Sequence, residues 1–347
     1  MGVEFGEKKK EELCSLVTIV TPTMNRPDFI VRYLQYYSKT GFSGDIIIGD
    51  SSDDENRKKV EDAVKKYGKN LSLRYGYYPT AEYAHDGECF GAMLELVRTP
   101  YTIFCGDDDF LILEGLARCV EFIEQEEGYA GVFGERVAFQ LNQNGPSGKI
   151  VAMARRNTPE RLHDSALERL NSYITEGMST QYSVSKTDLW KVMYSEVPNM
   201  PARYIGSEFF PCCIAVLHGK FRKLDELLVL FQQNLDPIFN WNKQTLFALM
   251  NTPEWSPSMA VGRKQIIELL VKFSDLTAEH AEAYVDIGIW HHMLNSMNAQ
   301  YSAVSEGRSL RPGINPDKGA RFLDEFMQNS DYRRVSMTAL KILAGVR

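Results

Sequence analysis

The sequence predicts an α/β protein in which helices flank a mainly parallel sheet and a smaller helical subdomain follows. From residue 14 to 126, short β-branched runs alternate with amphipathic segments. Strands separated by helices imply right-handed crossovers and parallel pairing. Beyond Asn240 strand-like runs nearly vanish and apolar residues recur at helical spacing. The change of pattern predicts an α/β domain over 14–235 and a helical subdomain over 236–347.

Four strand–helix pairs account for the first part of the chain. The strands are rich in β-branched and apolar residues, whereas the helices carry apolar stripes. The strands are predicted at 16–20, 45–49, 71–75 and 101–105. The helices are predicted at 28–39, at 55–67, after Asp86, and from 111 to about 126. Ligands of such sheets bind beyond the carboxyl ends of the strands, so the loops there are the first candidates for function.

After residue 126 the strict alternation of predicted strands and helices ends. Strand-like runs at 131–141 and 149–154 flank NQNGPSG and predict a β-hairpin. Thr158 and Pro159 supply an N-cap and a first-turn proline for a helix expected to reach Ile174. Next come a strand at 181–184, a helix at 187–194, a helix capped by Ser207, and apolar runs at 221–223 and 227–231.

The last hundred residues carry helical stripes. Tyr284, Ile287, Trp290, Leu294 and Met297 recur at helical spacing. Similar stripes occupy 265–273, 320–327 and 335–343. The neighbouring histidines 291 and 292 do not share a helix face, so packing and solvent exposure explain them better than metal binding.

Composition and charge narrow the function classes. The net charge of -7 opposes broad nucleic-acid binding, which needs a basic face, so no nucleic-acid partner is expected. No apolar run approaches the roughly 20 residues that span a bilayer, and the six cysteines form no CxxC pair. A soluble, cytoplasmic protein with reduced thiols is expected. From Arg308 onward eight basic residues face four acidic ones. This excess is compatible with peripheral contact at the inner face of a membrane, although a solvated helix face is the favoured interpretation.

The strongest local signal is a run of three carboxylates, Asp107, Asp108 and Asp109, at the end of the predicted strand at 101–105. Carboxylates two residues apart can point the same way in extended chain. Such a pair can hold a hard divalent ion, and adjacent carboxylates repel one another unless a cation is present. The run therefore predicts Mg²⁺ or Mn²⁺ at Asp107 and Asp109. The alternative is a solvated Asp-rich turn.

Loops after other predicted strands are further candidates. The segment TPTMNRP at 21–27 has neither the GxGxxG turn of dinucleotide-binding folds nor a P-loop motif. Asp50 begins a polar loop that could bind a base or ribose, although by itself a helix-capping turn is the favoured interpretation. His85 and Gly87 stand at a predicted helix N-terminus, which favours anions such as a diphosphate. His85 could equally be a simple loop residue.

Taken together, these motifs resemble the family 2-like glycosyltransferases of GT-A fold, over residues 14–235. The resemblance rests on VTIVTPTMNR from Val17, on Asp50-Ser-Ser, and on TPYTIFCGDDD ending at Asp109. It implies a nucleoside-diphosphate sugar as donor, with a UDP-sugar favoured. It also implies a donor site that contains Thr21, Asn25, Arg26, Asp50, Asp107 and Asp108, with metal at Asp107 and Asp109. The helix N-terminus at His85 and Gly87 is expected to belong to the same site, because it would lie near the diphosphate.

The resemblance further implies a carboxylate base, and Glu208 in GSEFF is the nearest match. Ser207 as N-cap would place Glu208 in a first helical turn, where the helix dipole favours the charged form. A charged carboxylate can accept a proton from an attacking hydroxyl. The alternative, that Glu208 serves only the helix dipole, is equally supported by the residues alone.

The predicted activity is therefore an inverting, metal-dependent sugar transfer in surface polysaccharide or glycoconjugate assembly, with a glycan or lipid-linked acceptor. Two alternatives stay open. A sugar nucleotidyltransferase would need a Gly-rich, Lys- or Arg-bearing loop after the first strand, and this sequence has none there. A non-catalytic module that binds nucleotide sugars would carry the same loops without turnover. A homo-oligomer is also left open.

Overall fold

The structure is a computed structural model that describes residues 6–177, 179–234, 245–308 and 313–345. The strands are β1 Val17–Thr23, β2 Asp45–Asp50, β3 Ser72–Tyr77, β4 Tyr101–Phe104, β5 Phe110–Leu111, β6 Tyr129–Leu141, β7 Ile150–Arg156, β8 Ser185–Lys186 and β9 Lys220–Gln232. The helices are α1 Glu7–Cys14, α2 Pro27–Thr40, α3 Asp54–Tyr67, α4 Asp86–Leu94, α5 Leu113–Gln125, α6 Ala166–Glu176, α7 Thr187–Tyr194, α8 Phe210–His218, α9 Leu246–Met250, α10 Trp255–Phe273, α11 Ala278–Ser305, α12 Pro316–Gln328 and α13 Ser330–Leu343.

The first sheet has the order β3-β2-β1-β4-β8. All its pairs are parallel except β4 with β8. Because parallel strands end on the same side, the register brings Thr23 beside Asp50 and Val20 beside Phe104. The strand–helix alternation predicted from residue 14 to 126 is confirmed. Its strand ends form one edge where the predicted loops meet.

The second sheet has the order β5-β9-β6-β7. The predicted hairpin is confirmed, since β6 and β7 pair antiparallel on either side of the turn. The runs predicted at 221–223 and 227–231 are one strand, β9, which pairs parallel with β6. Register shifts near Glu135 accommodate the polar residues between the two runs.

The helix predicted to begin at Thr158 is wrong in its first half. Arg161 instead forms a bridge with Phe221, and both residues are buried. Helix α6 begins later, where the Ser165 hydroxyl accepts a hydrogen bond from the Glu168 backbone. Serine followed three residues later by glutamate is the capping box that marks this start in the sequence.

The N-cap assigned to Ser207 is also wrong. Ser207 lies inside a π-helical turn, Ile205–Phe209, which continues into α8. Its hydroxyl bonds with Asp86 at 2.8 Å rather than with its own helix. Glu208 is therefore in a helical turn, as predicted, but the cap was misassigned because its partner is 121 residues away.

Within the described residues only helices follow residue 234, as the helical spacing of apolar residues there predicts. The division into two domains stays a prediction. The predicted boundary between residues 235 and 236 lies outside the described residues. Helix α10 packs on α8, α12 on β7, and α13 on α2. The buried apolar side chains of these helices belong to the same core cluster as those of the sheets.

Two further properties concern the part of the chain that the structure describes. No helix in the described residues is long and apolar enough to cross a membrane. The six cysteines are all free thiols and all buried. They lie at positions 14, 89, 105, 119, 212 and 213.

Candidate functional site

The three carboxylates lie beyond the end of β4, beside the loop after β1. Asp107 accepts a hydrogen bond from the Thr23 hydroxyl at 2.7 Å and lies 2.7 Å from Nη1 of Arg26. Asp108 accepts hydrogen bonds from Nη2 of Arg26 at 2.8 Å and from the Asn234 amide at 2.5 Å. One guanidinium thus joins two of the three carboxylates.

Charge and burial shift the pKa values of Arg26 and Asp107 in opposite directions. Burial would lower the pKa of Arg26, but Asp107 and Asp108 raise it above its usual value. Burial raises the pKa of Asp107 to about 6, although Arg26 acts in the opposite direction. The cation that the sequence requires near these carboxylates is therefore, at least in part, an arginine of the protein itself.

The carboxylates Asp107, Asp108 and Asp109 form an acidic cluster, and a second arginine, Arg32 of α2, lies behind it. It donates hydrogen bonds to the Asp108 carbonyl at 2.5 Å, to the Gln232 side chain at 2.5 Å, and to the Pro146 carbonyl at 2.8 Å. Burial lowers its pKa to about 10, while the carboxylates oppose that shift. Through Pro146 this arginine fixes the β6–β7 turn beside the acidic cluster.

Asp109 is the most deeply buried of the three, with 1% of its surface exposed. One carboxylate oxygen accepts a hydrogen bond from the Gln232 backbone at 2.9 Å and the other from the Tyr182 hydroxyl. Burial, and next the charge of Asp108, raise the pKa of Asp109 well above its usual value. A Cβ on Gly106 would lie 2.8 Å from the Asp109 carboxylate, so only glycine permits this close turn.

The predicted metal site depends on free oxygens of Asp107 and Asp109. Carboxylate oxygens suit Mg²⁺ or Mn²⁺ chemically. In this arrangement, however, both oxygens of Asp107 are engaged by Thr23 and Arg26, and both oxygens of Asp109 by Tyr182 and Gln232. Among the described residues no group of three His, Cys, Asp or Glu side chains could hold a metal ion. As arranged, these residues do not fit a divalent ion without rearrangement.

The loops after β1 and β2 are tied together. Asn25 has a φ of 56°, an uncommon left-handed conformation for a residue other than glycine. Its backbone donates to the Ser52 hydroxyl at 2.7 Å, and its side chain accepts from the Asp53 backbone at 2.9 Å. The buried Asp50 accepts hydrogen bonds from the Ser52 backbone and the Tyr75 hydroxyl, each at 2.9 Å. Strained backbone of this kind often occurs at functional sites.

An open cleft lies next to these loops. It is lined by Pro22, Asp86, Gly87, Phe90, Phe104, Gln181, Tyr194, Arg203, Ser207 and Glu208. The structure thus brings two of the predicted site residues, Gly87 and Glu208, to one cleft.

An ion pair lies in the wall of this cleft. Arg203 binds both carboxylate oxygens of Asp86, at 2.8 and 2.7 Å, and Ser207 donates to the same carboxylate. Burial would raise the pKa of Asp86, but these partners hold it below its usual value. A Cβ on Gly87 would lie 2.8 Å from the Ser207 hydroxyl oxygen, so this glycine permits the close approach of α4 to the Glu208 turn.

Two adjacent side chains connect the acidic cluster with the cleft. Gln181 donates a hydrogen bond to the Ser207 carbonyl at 2.6 Å, whereas Tyr182 donates to Asp109. The strand predicted at 181–184 is therefore wrong at its start, where the structure has a turn. The side chains of this turn join Asp109 to the segment that carries Glu208.

Two predicted residues lie behind the site rather than in it. Thr21 is fully buried and its hydroxyl donates to Tyr33 at 2.8 Å. His85 caps α4: its Nδ1 accepts from the Gly87 backbone at 3.1 Å, so Nε2 carries the proton and donates to the Met200 carbonyl at 3.0 Å. Both side chains support the loops that face the cleft.

Sequence reasoning missed several residues of the site. These are Thr23, Arg32, Tyr182, Arg203, Gln232 and Asn234. Two of them carried a usable signal. Arg32 is the charged residue within the apolar run IVRYL, and Gln232 is the polar residue that directly follows the apolar run LLVLF.

No model of a known protein family matches this chain, and no curated protein matches it significantly in sequence. Solved structures do match. S. aureus TarS 1–349 in complex with UDP superposes with a TM-score of 0.51 at 15% identity, over 94% of this chain and 82% of that one. The chain has the fold of TarS. The predicted fold class, a GT-A-type mainly parallel sheet with flanking helices, is confirmed.

Two further structures are similar at lower scores. A longer S. aureus TarS structure matches with a TM-score of 0.49 at 14% identity, over 94% of this chain, which spans half the length of that one. The mannosyltransferase PcManGT from Pyrobaculum calidifontis, in complex with GDP-Man and Mn²⁺, matches at 0.43 and 14%, over 95% of this chain and 86% of that one. At such identities the likeness concerns the fold, and the activity of this chain is a matter for proposal.

Proposed function

We propose that this protein is a glycosyltransferase that moves a sugar from a nucleoside-diphosphate sugar, with a UDP-sugar favoured, to an acceptor hydroxyl. The observation that carries the proposal is the cleft in which Glu208 and the N-terminal turn of α4 meet beside the strand ends of a TarS-like fold. Fold likeness alone does not establish function, and the chemistry of these residues is what supports the proposal.

The donor is assigned to the strand-end loops. The loops of Asn25 and Asp50 offer polar groups to a base and ribose, and their mutual hydrogen bonds hold them in place before a ligand arrives. The N-terminus of α4, which reaches the cleft through Gly87, favours an anion such as a diphosphate. Arg26 and Arg203 lie at these two places, each paired with carboxylates of the protein that a bound diphosphate would have to displace or share.

The transfer step is assigned to Glu208. The acceptor hydroxyl loses its proton to this carboxylate as its oxygen forms a bond with the anomeric carbon, and the nucleoside diphosphate leaves with the electron pair of the broken bond. Attack from the face opposite the leaving group inverts the anomeric configuration. Glu208 is half-buried in the cleft wall, where it can reach both solvent and a bound ligand.

Mg²⁺ or Mn²⁺ at Asp107 and Asp109 stays a prediction. Because the oxygens of both carboxylates are engaged by protein donors, the proposed mechanism contains no step through a metal ion. A glycan or lipid-linked acceptor in surface polysaccharide or glycoconjugate assembly is likewise proposed from the family resemblance alone.

The test replaces Glu208 with Gln, which keeps the size of the side chain and removes the proton acceptor. A panel of nucleoside-diphosphate sugars is first screened for release of nucleoside diphosphate, with and without candidate acceptors. With the true donor, turnover should fall about 10²- to 10⁴-fold in Glu208→Gln, the usual contribution of general-base catalysis. Donor affinity, measured by calorimetry, should stay nearly constant.

Glu268→Gln is the matched control, since Glu268 is an exposed residue of α10 outside the cleft. Its turnover should equal that of the unchanged protein. Transfer at a normal rate by Glu208→Gln would eliminate Glu208 as the base. Donor binding without any release of product, in the unchanged protein, would favour a non-catalytic module.

A further inference from the structure

Helix α11 carries an apolar stripe on its outer face. The outer stripe consists of Ile287, Trp290, Leu294, Met297, Tyr301 and Val304. Of these, Tyr301 is 75% exposed and Ile287 71%, and Met297 is partly buried. Such a cluster is unusual, because monomeric soluble proteins rarely expose contiguous apolar patches larger than a few hundred Å².

The opposite face of α11 is already packed. Ala281, Val285, Ile289 and Met293 are buried, and the helix contacts α6 and α10 on that side. A surface helix usually has one apolar face toward the core and one polar face toward water. Helix α11 is apolar on two faces, so the core of this chain does not account for the outer stripe.

The spacing of the outer stripe indicates what would cover it. Successive members are 3, 4, 3, 4 and 3 residues apart. This alternation is the a/d seam of a coiled coil, which fits the side chains of a second helix. At 1.5 Å per residue, the stripe from Ile287 to Val304 is roughly 26 Å long. It matches another straight helix better than it matches a loop or a short peptide.

Charge beside the seam favours a second copy over a membrane. The flanking residue Asp286 is paired with Arg263 at 2.5 and 2.9 Å. The flanking positions 298, 300 and 305 are Asn, Gln and Ser, which carry no charge. Like-charge repulsion therefore does not oppose self-pairing. Interfacial membrane helices carry Lys or Arg on their polar face, whereas the charged residues within α11 are all acidic.

We infer that the outer stripe of α11 joins two copies of this chain as an antiparallel helix pair. A two-fold axis between Leu294 and Met297 would place Ile287 against the partner's Val304 and Trp290 against the partner's Tyr301. Such an interface uses the same patch on both copies, as two-fold symmetry requires. This inference does not depend on the proposed function.

The available area is in the right range. Buried aromatic side chains each contribute roughly 150–250 Å². Two rings and four aliphatic side chains per copy, with the atoms around them, approach the ~800 Å² per partner of a standard interface. Phe247 of α9, 63% exposed, is on the element whose Leu246 backbone bonds with Gln300 and can extend the interface.

The test measures the mass of the full chain by analytical ultracentrifugation, from nanomolar to tens of micromolar concentration. The unchanged protein should be a dimer in the upper part of this range. Leu294→Glu, at the centre of the stripe, should raise the dissociation constant at least 100-fold. Val271→Glu, at an exposed apolar position of α10, is the matched control and should leave the dimer intact.

Circular dichroism and thermal unfolding establish that each variant is folded. Orientation is tested with Ile287→Cys and Val304→Cys, made separately and then mixed under oxidising conditions. An antiparallel pair should give a disulfide between the two variants in the mixture and little dimer from either alone.

A monomer throughout the concentration range would overturn the inference, as would a dimer unaffected by Leu294→Glu. Cross-linking of Ile287→Cys to itself would overturn the antiparallel arrangement. A different result would assign the outer stripe to a membrane: the unchanged protein stays monomeric and sediments with anionic vesicles, and Leu294→Glu abolishes that sedimentation.

Discussion

Arg26 lies between two carboxylates of the loop after β4. Its guanidinium is 2.7 Å from Asp107 and 2.8 Å from Asp108, and its ring contact with Phe29 at 3.9 Å holds the side chain over α2. A carboxylate run needs positive charge nearby, but the type of residue alone does not say whether a metal or an arginine provides it. The choice depends on the conformation of the loop after β1.

Arg26→Gln should show whether a metal ion can replace the arginine beside Asp107 and Asp108. Removing one partner of a buried ion pair leaves an uncompensated charge, and the free energy of unfolding should fall by about 3–5 kcal/mol. Since Asp107 and Asp108 then lack their cation, added Mg²⁺ or Mn²⁺ should raise the melting temperature of the variant more than that of the unchanged protein. Differential scanning fluorimetry with and without metal measures both effects.

Arg57→Gln is the control, because Arg57 pairs with Asp54 in a more exposed ion pair of α3. It should lose little stability and gain nothing from metal. Equal metal-induced shifts in all three proteins would mean that Asp107 and Asp108 do not bind the ion.

The composition of the acidic cluster was predictable only in part. Asp107 to Asp109 follow one another directly, so their proximity is evident from the sequence. Arg32 and Gln232 are 200 residues apart, and only the folded chain brings them within 2.5 Å. A single sequence contains no signal for such a long-range contact.

At the scale of elements, His292 joins α11 to the segment that carries Glu208. Its ring bonds with the Tyr204 hydroxyl at 2.9 Å and with the Ile174 carbonyl at 3.0 Å. A carbonyl can only accept, so Nδ1 carries the proton and Nε2 faces Tyr204. The expectation that packing explains this histidine agrees with its burial.

This contact predicts a pH dependence of stability. Burial lowers the pKa of His292 below the usual 6.5, so the unfolded chain binds the proton more readily than the folded one. Stability is then fully present above pH 6.5 and is lost as pH falls below it. In His292→Gln the fall in unfolding free energy between pH 7 and 5 should be smaller than in the unchanged protein. Urea denaturation at several pH values measures it.

His291→Gln is the matched control, since His291 is exposed on the same helix. Its pH profile should follow that of the unchanged protein. A profile of His292→Gln that also matches the unchanged protein would show that another group causes the acid sensitivity.

Elements governed by local rules were predictable, and elements governed by distant partners were not. Helix α2 begins with Pro27 and ends at Gly41, which adopts the left-handed conformation common after helices. Thr158 and Ser207 offered comparable local signals and misled, because Arg161 pairs with Phe221 and Ser207 with Asp86. Tertiary contacts outweighed local propensity at those positions.

At the scale of the whole molecule, the C-terminal helices pack onto the sheets. Tyr332 of α13 contacts Glu135 of β6 and bonds with Arg155 of β7 at 2.9 Å. A Cβ on Gly319 of α12 would lie 2.7 Å from Cβ of Ala152 in β7. These contacts join the predicted subdomain to the predicted α/β domain.

Gly319→Val should therefore destabilise the entire chain. Overpacking at such a contact costs about 1–3 kcal/mol. The loss should appear in one cooperative unfolding transition when followed by circular dichroism and by tryptophan fluorescence. Lys318→Ala, at the exposed neighbouring position, should change little. Two transitions, only one of them shifted by Gly319→Val, would mean that the helical subdomain unfolds independently.

Because all six thiols are buried, the rate at which each is labelled reports how often its surroundings open. Burial raises the pKa of all six thiols. Labelling reagents react with the exposed thiolate. Each cysteine can therefore react only while the surrounding structure is briefly open. Cys105 lies next to the acidic cluster and Cys212 just after the Glu208 turn, whereas Cys14 reports on α1 far along the chain from both. Labelling rates at these positions thus record how often each region opens, and a ligand bound in the cleft would slow the labelling of Cys105 and Cys212.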